Sequence, residues 1–209
     1  MKLYIYEHCP FCARVRYVAG MLNINPDIVV VGYDDEKTTV DIIGKKQVPI
    51  LIKGDGDVIS ESLDIIEYFL NLSDSTNKGI PSDSITEWQK QSFGALQKIG
   101  YPRWHQMGLE EFGSDSAKAL WRAKKETEEL NFDQLVAHSA EIAKEAEALI
   151  DKAWSVLDLD SHHQMNVFDE AVVFSILRGF FSMKEINWNP AVKNWMESVS
   201  KQSNVKLIK

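Results

Sequence analysis

In the first third of the chain, the spacing of the apolar residues alternates between the pattern typical of a strand and the pattern typical of a helix. The apolar run 3–6 predicts a short strand, and the apolar spacing over 13–22 predicts a helix. The β-branched run 27–31 is typical of a parallel strand that is buried on both faces. Acidic residues 34–36 then provide a cap and first-turn acids for a short helix that reaches Ile43. The chain therefore begins β-α-β-α.

The next segment predicts a hairpin followed by a helix. Residues 48–52 form an apolar run opened by a proline, which suits the start or edge of a strand. The Gly-Asp-Gly-Asp sequence at 54–57 is a turn signal that leads into a second strand at 58–59. Ser60 is a candidate cap for the helix that follows. We predict the order β-α-β-α-β-β-α for residues 1–72.

The rest of the chain is predicted to be helical. Residues 73–84 have no apolar period and are rich in turn formers, so we expect a linker there, followed by an all-helical domain over 85–209. Helices are predicted to start at the capping sequences 84–87 and 131–134, the second with an apolar stripe from Leu135 to Leu157, and to cover 169–181 and 190–200.

Composition and charge narrow the classes of function. The chain has 209 residues, 44% hydrophobic and 26% charged, which is ordinary for a globular protein. Its net charge of -8 and the lack of a basic run argue against nucleic acid as a partner. Glu7 interrupts any signal-peptide pattern, and no apolar run is long enough to cross a bilayer. We expect a cytoplasmic protein with no membrane partner.

Candidate chemistry lies in Cys9-Pro10-Phe11-Cys12, which contains the only two cysteines of the chain. Pro10 suits the first position of a helix, so Cys9 falls at the N-cap, where free N–H groups and the helix dipole favour a thiolate. The pKa of a thiol in such a position can fall to about 3.5–7.5. Cys12, one turn further on the same face, is expected to be more buried and to remain a thiol.

Two other interpretations of the cysteine pair stay open. A zinc site would need further cysteines or well-spaced histidines, and the five histidines do not provide a second pair of ligands, so we predict no metal site. The cysteines would alternatively be inert core residues. A Cys-Pro at a strand-to-helix turn, however, lies at the mouth of a fold, where a redox pair is expected.

This order of elements, with Cys-X-X-Cys at the first turn and Val48-Pro49 at the third strand, resembles the thioredoxin fold in its glutaredoxin form. Glu61-Ser62 at the start of the last helix resembles glutathione transferases and the larger glutaredoxins. The whole chain is similar to the bacterial glutaredoxin 2 type, although residues 158–167 depart from that pattern. The matching stretches are 6–12, 47–51, 61–65, 124–126, 131–132, 137–139, 186–188 and 201–203.

The resemblance implies a fold and a ligand. It implies an α/β thioredoxin-like N-terminal domain followed by an all-α glutathione transferase-like domain, with a cis Val48–Pro49 bond. Val48 would present its backbone to the cysteinyl unit of glutathione, while Glu61 pairs with the γ-glutamyl ammonium and Ser62 with its carboxylate. The implied glutathione-binding residues are Gln47, Val48, Pro49, Glu61 and Ser62, and the candidates that tune the thiolate are His8, Pro10 and Arg14.

The implied activity is that of a glutathione-dependent thiol-disulfide oxidoreductase acting on glutathionylated proteins and protein disulfides. Cys9 would be the nucleophile and Cys12 the resolving thiol, with glutathione as co-substrate, no tightly bound cofactor and a monomeric chain. One alternative is glutathione transferase or dehydroascorbate reductase activity, which Tyr4 and Tyr6 keep open. Another is a non-catalytic glutathione-binding or Fe–S-binding module. The six tryptophans all lie in the helical half, where packing in the core and between the domains is the default interpretation, and the alternative is that residues 101–104 line the cleft opposite Cys9.

Overall fold

The computed structural model describes residues 1–73, 79–156 and 166–209. Residues 74–78 of the predicted linker lie outside the described residues. So do Leu157, at the end of the predicted apolar stripe, and most of the segment 158–167 that departs from the family pattern.

The N-terminal part combines a four-stranded sheet with three helices. Its elements are β1 (Lys2–Ile5), α1 (Pro10–Met21), β2 (Asp27–Val30), α2 (Thr38–Ile43), β3 (Ile50–Ile52), β4 (Val58–Ile59) and α3 (Ser62–Leu72). The strand order is β2-β1-β3-β4, with β1 parallel to β2 and antiparallel to β3, and β3 antiparallel to β4. The predicted order β-α-β-α-β-β-α is therefore confirmed.

The position of each strand in the sheet determines its burial. Leu3 and Ile5 of the central strand β1 are 0% exposed. The prediction that the run 27–31 is buried on both faces is wrong, because β2 is an edge strand and Ile28 is 44% exposed. Asp35 Oδ1 accepts hydrogen bonds from the backbone N–H groups of Lys37 and Thr38, but the N-cap and the first-turn acid of α2 are Lys37 and Asp41 rather than residues 34–36 as predicted.

Two element starts differ from their predicted positions. Strand β3 begins at Ile50 rather than Val48, and the Val48–Pro49 bond that precedes it is cis, as the resemblance implied. Helix α3 has Glu61 rather than Ser60 as its N-cap. The carbonyl of Ser60 instead accepts a hydrogen bond from Gln47 Nε2 at 2.9 Å.

The second part, over the described residues from 79 onward, consists of helices and the loops that join them, with no strand. Its elements are α4 (Asp83–Trp104), a 3₁₀ turn (Glu110–Phe112), α5 (Asp115–Lys125), α6 (Phe132–Ala137), α7 (Ser139–Val156), α8 (Val167–Phe180) and α9 (Pro190–Gln202). The predicted helical class is confirmed. The domain limits proposed from sequence stay a prediction, and α4 begins inside the residues assigned to the linker.

Of the two helix starts predicted from capping sequences in this part, one differs from the structure and one agrees with it. The N-cap of α4 is Ser82, whose Oγ accepts from the backbone N–H of Ile85, so the start predicted at Ser84 is wrong. Asn131 caps α6 as predicted. The single helix expected behind it is instead two helices, because the chain leaves α6 at His138 and starts α7 at Ser139.

Helices α1 and α8 form the main contact between the two parts. Every residue of α8 from Ala171 to Phe180 is buried, which places this helix in the core. The hydroxyl of Tyr17 on α1 donates to Glu170 Oε2 on α8 at 2.7 Å. None of the described helices is both long and apolar enough to span a membrane.

Candidate active site

Cys9 lies at the N-cap of α1, where the sequence placed it. Its Sγ accepts a hydrogen bond from the backbone N–H of Cys12 at 3.4 Å, and Pro10 occupies the first helical turn. Both cysteines are free thiols; Cys9 is 8% exposed, whereas Cys12 is 0% exposed. Cys9 is therefore the thiol that a substrate can reach.

The surroundings separate the acidities of the two thiols. The hydrogen bond from the Cys12 side chain lowers the pKa of Cys9 against the opposing effect of burial, and the N–H groups of Cys12 and Phe11 and the charge of Arg14 lower it further. Burial raises the pKa of Cys12 well above its usual value, and the hydrogen bond and charge of Cys9 raise it again. The pair thus favours a thiolate on Cys9 and a protonated Cys12.

A cleft of about 600 Å³ opens in front of Cys9, between the sheet domain and the helical part. It brings together most of the residues that the sequence pointed to, because strand starts and helix starts meet on this side of the sheet. The predicted residues that line it are His8, Cys9, Pro10, Gln47, Val48, Pro49, Glu61 and Ser62. Cys12 and Arg14 do not line it.

The start of α3 lines the cleft. Glu61 is the N-cap and Ser62 the first helical residue, so both stand beside the free N–H groups of an 11-residue helix. Gln47 Nε2 donates to Glu61 Oε1 at 3.2 Å and thereby orients that carboxylate. A carboxylate, a hydroxyl and helix N–H groups together suit a group that carries both an ammonium and a carboxylate.

Arg14 lies behind the thiols rather than in the cleft. Its Nη2 donates to Gln89 Oε1 on α4 at 2.8 Å, and its guanidinium lies 4.7 Å from the centroid of the Phe11 ring. Burial lowers the pKa of Arg14 to about 10. Its positive charge is one of the causes that lower the pKa of Cys9, so Arg14 can act on the thiolate without touching a ligand.

His8 is buried and bound to a residue that the sequence did not single out. Its Nδ1 lies 2.6 Å from Glu111 Oε1, and its backbone N–H donates to the same oxygen at 2.9 Å. His8 is therefore held inside the protein rather than exposed to solvent. Glu111 lies in the 3₁₀ turn, 103 residues away along the chain, and no local pattern marks it as different from Glu110.

The helical part supplies the opposite wall. Tyr101 and Trp104 line the cleft, as the alternative for residues 101–104 proposed, whereas Pro102 and Arg103 line a separate surface groove, because residues three apart share one face of α4. Three lysines at the mouth were not predicted: Lys46, Lys124 and Lys125. Only the fold brings Lys46 together with the two lysines of α5.

Carboxylate and aromatic groups hold these lysines. Lys46 Nζ donates to the carbonyl of Tyr33 at 2.6 Å and to Glu36 Oε1 at 2.8 Å. Lys124 Nζ lies 3.4 Å from the same carboxylate oxygen of Glu36, and Lys125 Nζ lies 5.3 Å from the centroid of the Tyr101 ring. The cleft is thus lined by three ammonium groups, and two of them, Lys46 and Lys124, share the single carboxylate of Glu36.

The fold and the cleft define a class: a thioredoxin-like thiol protein with a second, helical part of glutathione transferase-like fold. Two family models match the chain, "Glutathione S-transferase, N-terminal domain" over residues 3–77 and "Glutaredoxin 2, C terminal domain" over residues 84–209. Glutaredoxin 2 of Escherichia coli K12 is 32% identical over 212 aligned positions, covering 100% of this chain and 98% of the relative. The chain belongs to the glutaredoxin 2 family.

Solved structures agree with this assignment. The crystal structure of glutaredoxin 2 from Salmonella typhimurium in complex with glutathione has a TM-score of 0.86 and 32% identity, covering 99% of this chain and 96% of that one. The glutathione transferase GSTFuA3 of Phanerochaete chrysosporium has a TM-score of 0.68 at 14% identity, with 96% of each chain covered, and this match supports the fold alone.

Proposed function

We propose that this protein is a glutaredoxin, a glutathione-dependent oxidoreductase that reduces protein–glutathione mixed disulfides and protein disulfides through the thiolate of Cys9. The observation that carries the proposal is the position of Cys9. It is a thiol of lowered pKa at a helix N-cap, in a cleft that Glu61 and Ser62 also line, and these two residues suit a γ-glutamyl group.

Glutathione would lie along the sheet side of the cleft. Its γ-glutamyl end would meet Glu61, Ser62 and the N–H groups of α3, and its cysteinyl unit would pair with the backbone of Val48 as an added strand. The glycyl carboxylate would lie toward the lysines of the mouth, of which Lys46 belongs to the same domain as Cys9. Arg14 is excluded from that role because its guanidinium is buried against Gln89.

The first reaction exchanges one disulfide for another. The Cys9 thiolate attacks the glutathionyl sulfur of the substrate, the bond between that sulfur and the protein sulfur breaks, and the protein thiolate leaves and takes up a proton. Cys9 is now disulfide-bonded to glutathione. The thiolate of a second glutathione attacks the bound glutathionyl sulfur, which releases oxidised glutathione and restores the Cys9 thiolate.

Protein disulfides would require Cys12 as well. Cys9 attacks one substrate sulfur and forms a mixed disulfide, which Cys12 attacks to give the Cys9–Cys12 disulfide and the reduced substrate. The negative charge of Cys9 helps to raise the pKa of Cys12. Because the mixed disulfide removes that charge, Cys12 becomes easier to deprotonate at the step where it is needed.

Serine variants of the two cysteines test this division of roles. Cys9→Ser should abolish turnover with a small glutathione mixed disulfide and with a protein disulfide, because a serine hydroxyl cannot replace a thiolate here. Cys12→Ser should retain the first activity and lose most of the second. Both rates are measured by coupling the release of oxidised glutathione to glutathione reductase. Substantial turnover by Cys9→Ser would rule out the proposed nucleophile.

The two alternative functions, that of a conjugating glutathione transferase and that of an Fe–S-binding module, predict different observations. A conjugating transferase needs a hydroxyl that reaches the sulfur of glutathione, but the Tyr6 hydroxyl is buried and burial raises its pKa. We therefore expect conjugation of an aromatic electrophile to be slow relative to disulfide reduction. An Fe–S module would give a coloured protein, whereas we expect a colourless preparation with full turnover.

The proposal includes the cellular compartment and the oligomeric state in which the protein acts. A reducing thiol pair suits the cytoplasm, where glutathione keeps cysteines reduced. We expect the protein to act there as a monomer, and size-exclusion chromatography with light scattering measures its mass in solution.

A further inference from the structure

The two residues before Cys9 are fastened to the helical part at several points. Arg178 Nη1 on α8 donates to the carbonyl of Glu7 at 2.6 Å. The backbone N–H of Glu110 donates to Glu7 Oε2 at 2.8 Å. Glu111 holds His8 through both its backbone and its ring. The strand-to-helix loop that presents the nucleophile is therefore anchored by the other half of the chain.

Glu111 is the most buried of these anchors. It is 1% exposed, and its Oε1 accepts both hydrogen bonds of His8. Its Oε2 is also buried and has no hydrogen-bond partner among the described residues. The hydrogen bonds and charge of His8 hold the pKa of Glu111 below its usual value although burial opposes this. A buried carboxylate with one unpaired oxygen is costly, and the contacts that offset this cost are its two hydrogen bonds with His8.

The ring of His8 is confined by aromatic side chains as well as by Glu111. Its centroid lies 5.5 Å from that of Tyr6, 5.2 Å from Trp104 and 5.3 Å from Phe112 in stacked arrangements. These rings fill the space beside the loop but direct no hydrogen bond to it. The orientation of the His8 backbone, which leads directly into Cys9, therefore depends on the carboxylate of Glu111.

We propose that Glu111 is a positioning residue for the nucleophile: by holding the backbone and ring of His8, it keeps the Cys9 sulfur aligned with the N-terminal N–H groups of α1. The helical part would thereby contribute to the reactivity of a thiol that it does not itself carry. This inference rests on the proposed function of Cys9 and adds a residue from the other half of the chain to the site.

A positioning role and a purely electrostatic role make opposite predictions. The charged or titratable groups near Glu111 are His8, Arg16, Arg178 and Cys12. If the negative charge of Glu111 mattered by itself, removing it would favour the Cys9 thiolate. If the hydrogen bonds matter, the thiolate is lost when the acceptor can no longer reach His8, whether or not the charge remains.

Glu111→Gln and Glu111→Asp separate these roles. Glutamine keeps an acceptor at the same reach and removes the charge, whereas aspartate keeps the charge and shortens the reach by one methylene. The rate of Cys9 alkylation by iodoacetamide is followed against pH, with the modified peptide identified by mass spectrometry. This readout needs neither glutathione nor turnover, so it remains valid even if the proposed activity fails. Glu110→Asp and Glu110→Gln are the controls at the neighbouring glutamate, which is exposed.

Positioning predicts that Glu111→Asp raises the pH midpoint of alkylation by about half a unit or more and lowers kcat about tenfold, while Glu111→Gln stays within about twofold of the unchanged protein. The Glu110 variants should not change either value. The proposal is overturned if Glu111→Asp behaves as the unchanged protein, or if Glu111→Gln alone lowers the midpoint. Far-ultraviolet circular dichroism establishes that each variant is folded before its rates are compared.

Discussion

Gly20, near the end of α1, is where the thiol-bearing helix comes closest to the C-terminal segment. A Cβ added at Gly20 would lie 1.9 Å from the carbonyl oxygen of Ser203 and 2.7 Å from its Cα. These are backbone atoms, so no side-chain rotation relieves the overlap, and one of the two segments must move. We therefore expect Gly20→Ala to destabilise the protein even though alanine is the better helix former.

Two opposing terms set the magnitude. Replacing glycine by alanine inside a helix contributes about 0.5–1 kcal/mol in favour of folding, and forcing extra volume into a packed contact costs about 1–3 kcal/mol. Because the overlap is with backbone atoms, we expect a cost in the upper part of that range, so the free energy of unfolding should fall by about 1–2 kcal/mol. For a chain of 209 residues this corresponds to a melting temperature lower by about 2–8 °C.

Gly94→Ala is the matched control. Gly94 lies inside α4, is exposed, and has no atom within 4 Å of an added Cβ, so only the helix-propensity term applies and the melting temperature should rise slightly. Thermal denaturation of both variants is followed by circular dichroism. The clash occurs at the far end of α1 from Cys9, so alkylation of Cys9 at 25 °C should be unchanged. Equal melting temperatures for the two variants would refute the reasoning.

Three further predictions concern charge and binding. Because folding lowers the pKa of Cys9, its thiolate contributes stability that is complete above the ordinary thiol pKa and is lost as the pH falls through the lowered pKa. The rate of alkylation against pH should show a midpoint at this lowered pKa for Cys9, and no midpoint in the same range for Cys12. Ser62→Ala should raise KM for glutathione about tenfold in steady-state kinetics with little change in kcat. Burial raises the pKa of Glu170, so its ionised form destabilises the folded protein above that pKa. Glu170→Gln, which can still accept the hydrogen bond of the Tyr17 hydroxyl, should therefore raise the melting temperature at about pH 8, and this gain should disappear at about pH 4.

The N-terminal topology was predictable because its signals are local. An apolar run, a turn sequence or a Cys-Pro at a helix start depends on a few neighbouring residues, and the elements occur in the predicted order, although β3 and α3 start later than predicted. Helix starts were less certain, since several serines compete in one stretch. Ser82 rather than Ser84 caps α4, and the backbone N–H of Ser82 is held by Asp169 from α8, a contact that no local pattern contains.

The sequence alone determined the identity and order of the reactive parts: Cys9 at a helix N-cap, Cys12 behind it, and Glu61-Ser62 at the start of another helix. These features depend on neighbours in the chain. Only the tertiary structure decided that the run 27–31 lies at a sheet edge and that Glu111 holds His8 from 103 residues away. The burial and the partner of a polar group depend on which distant segments meet, and local periodicity does not record that.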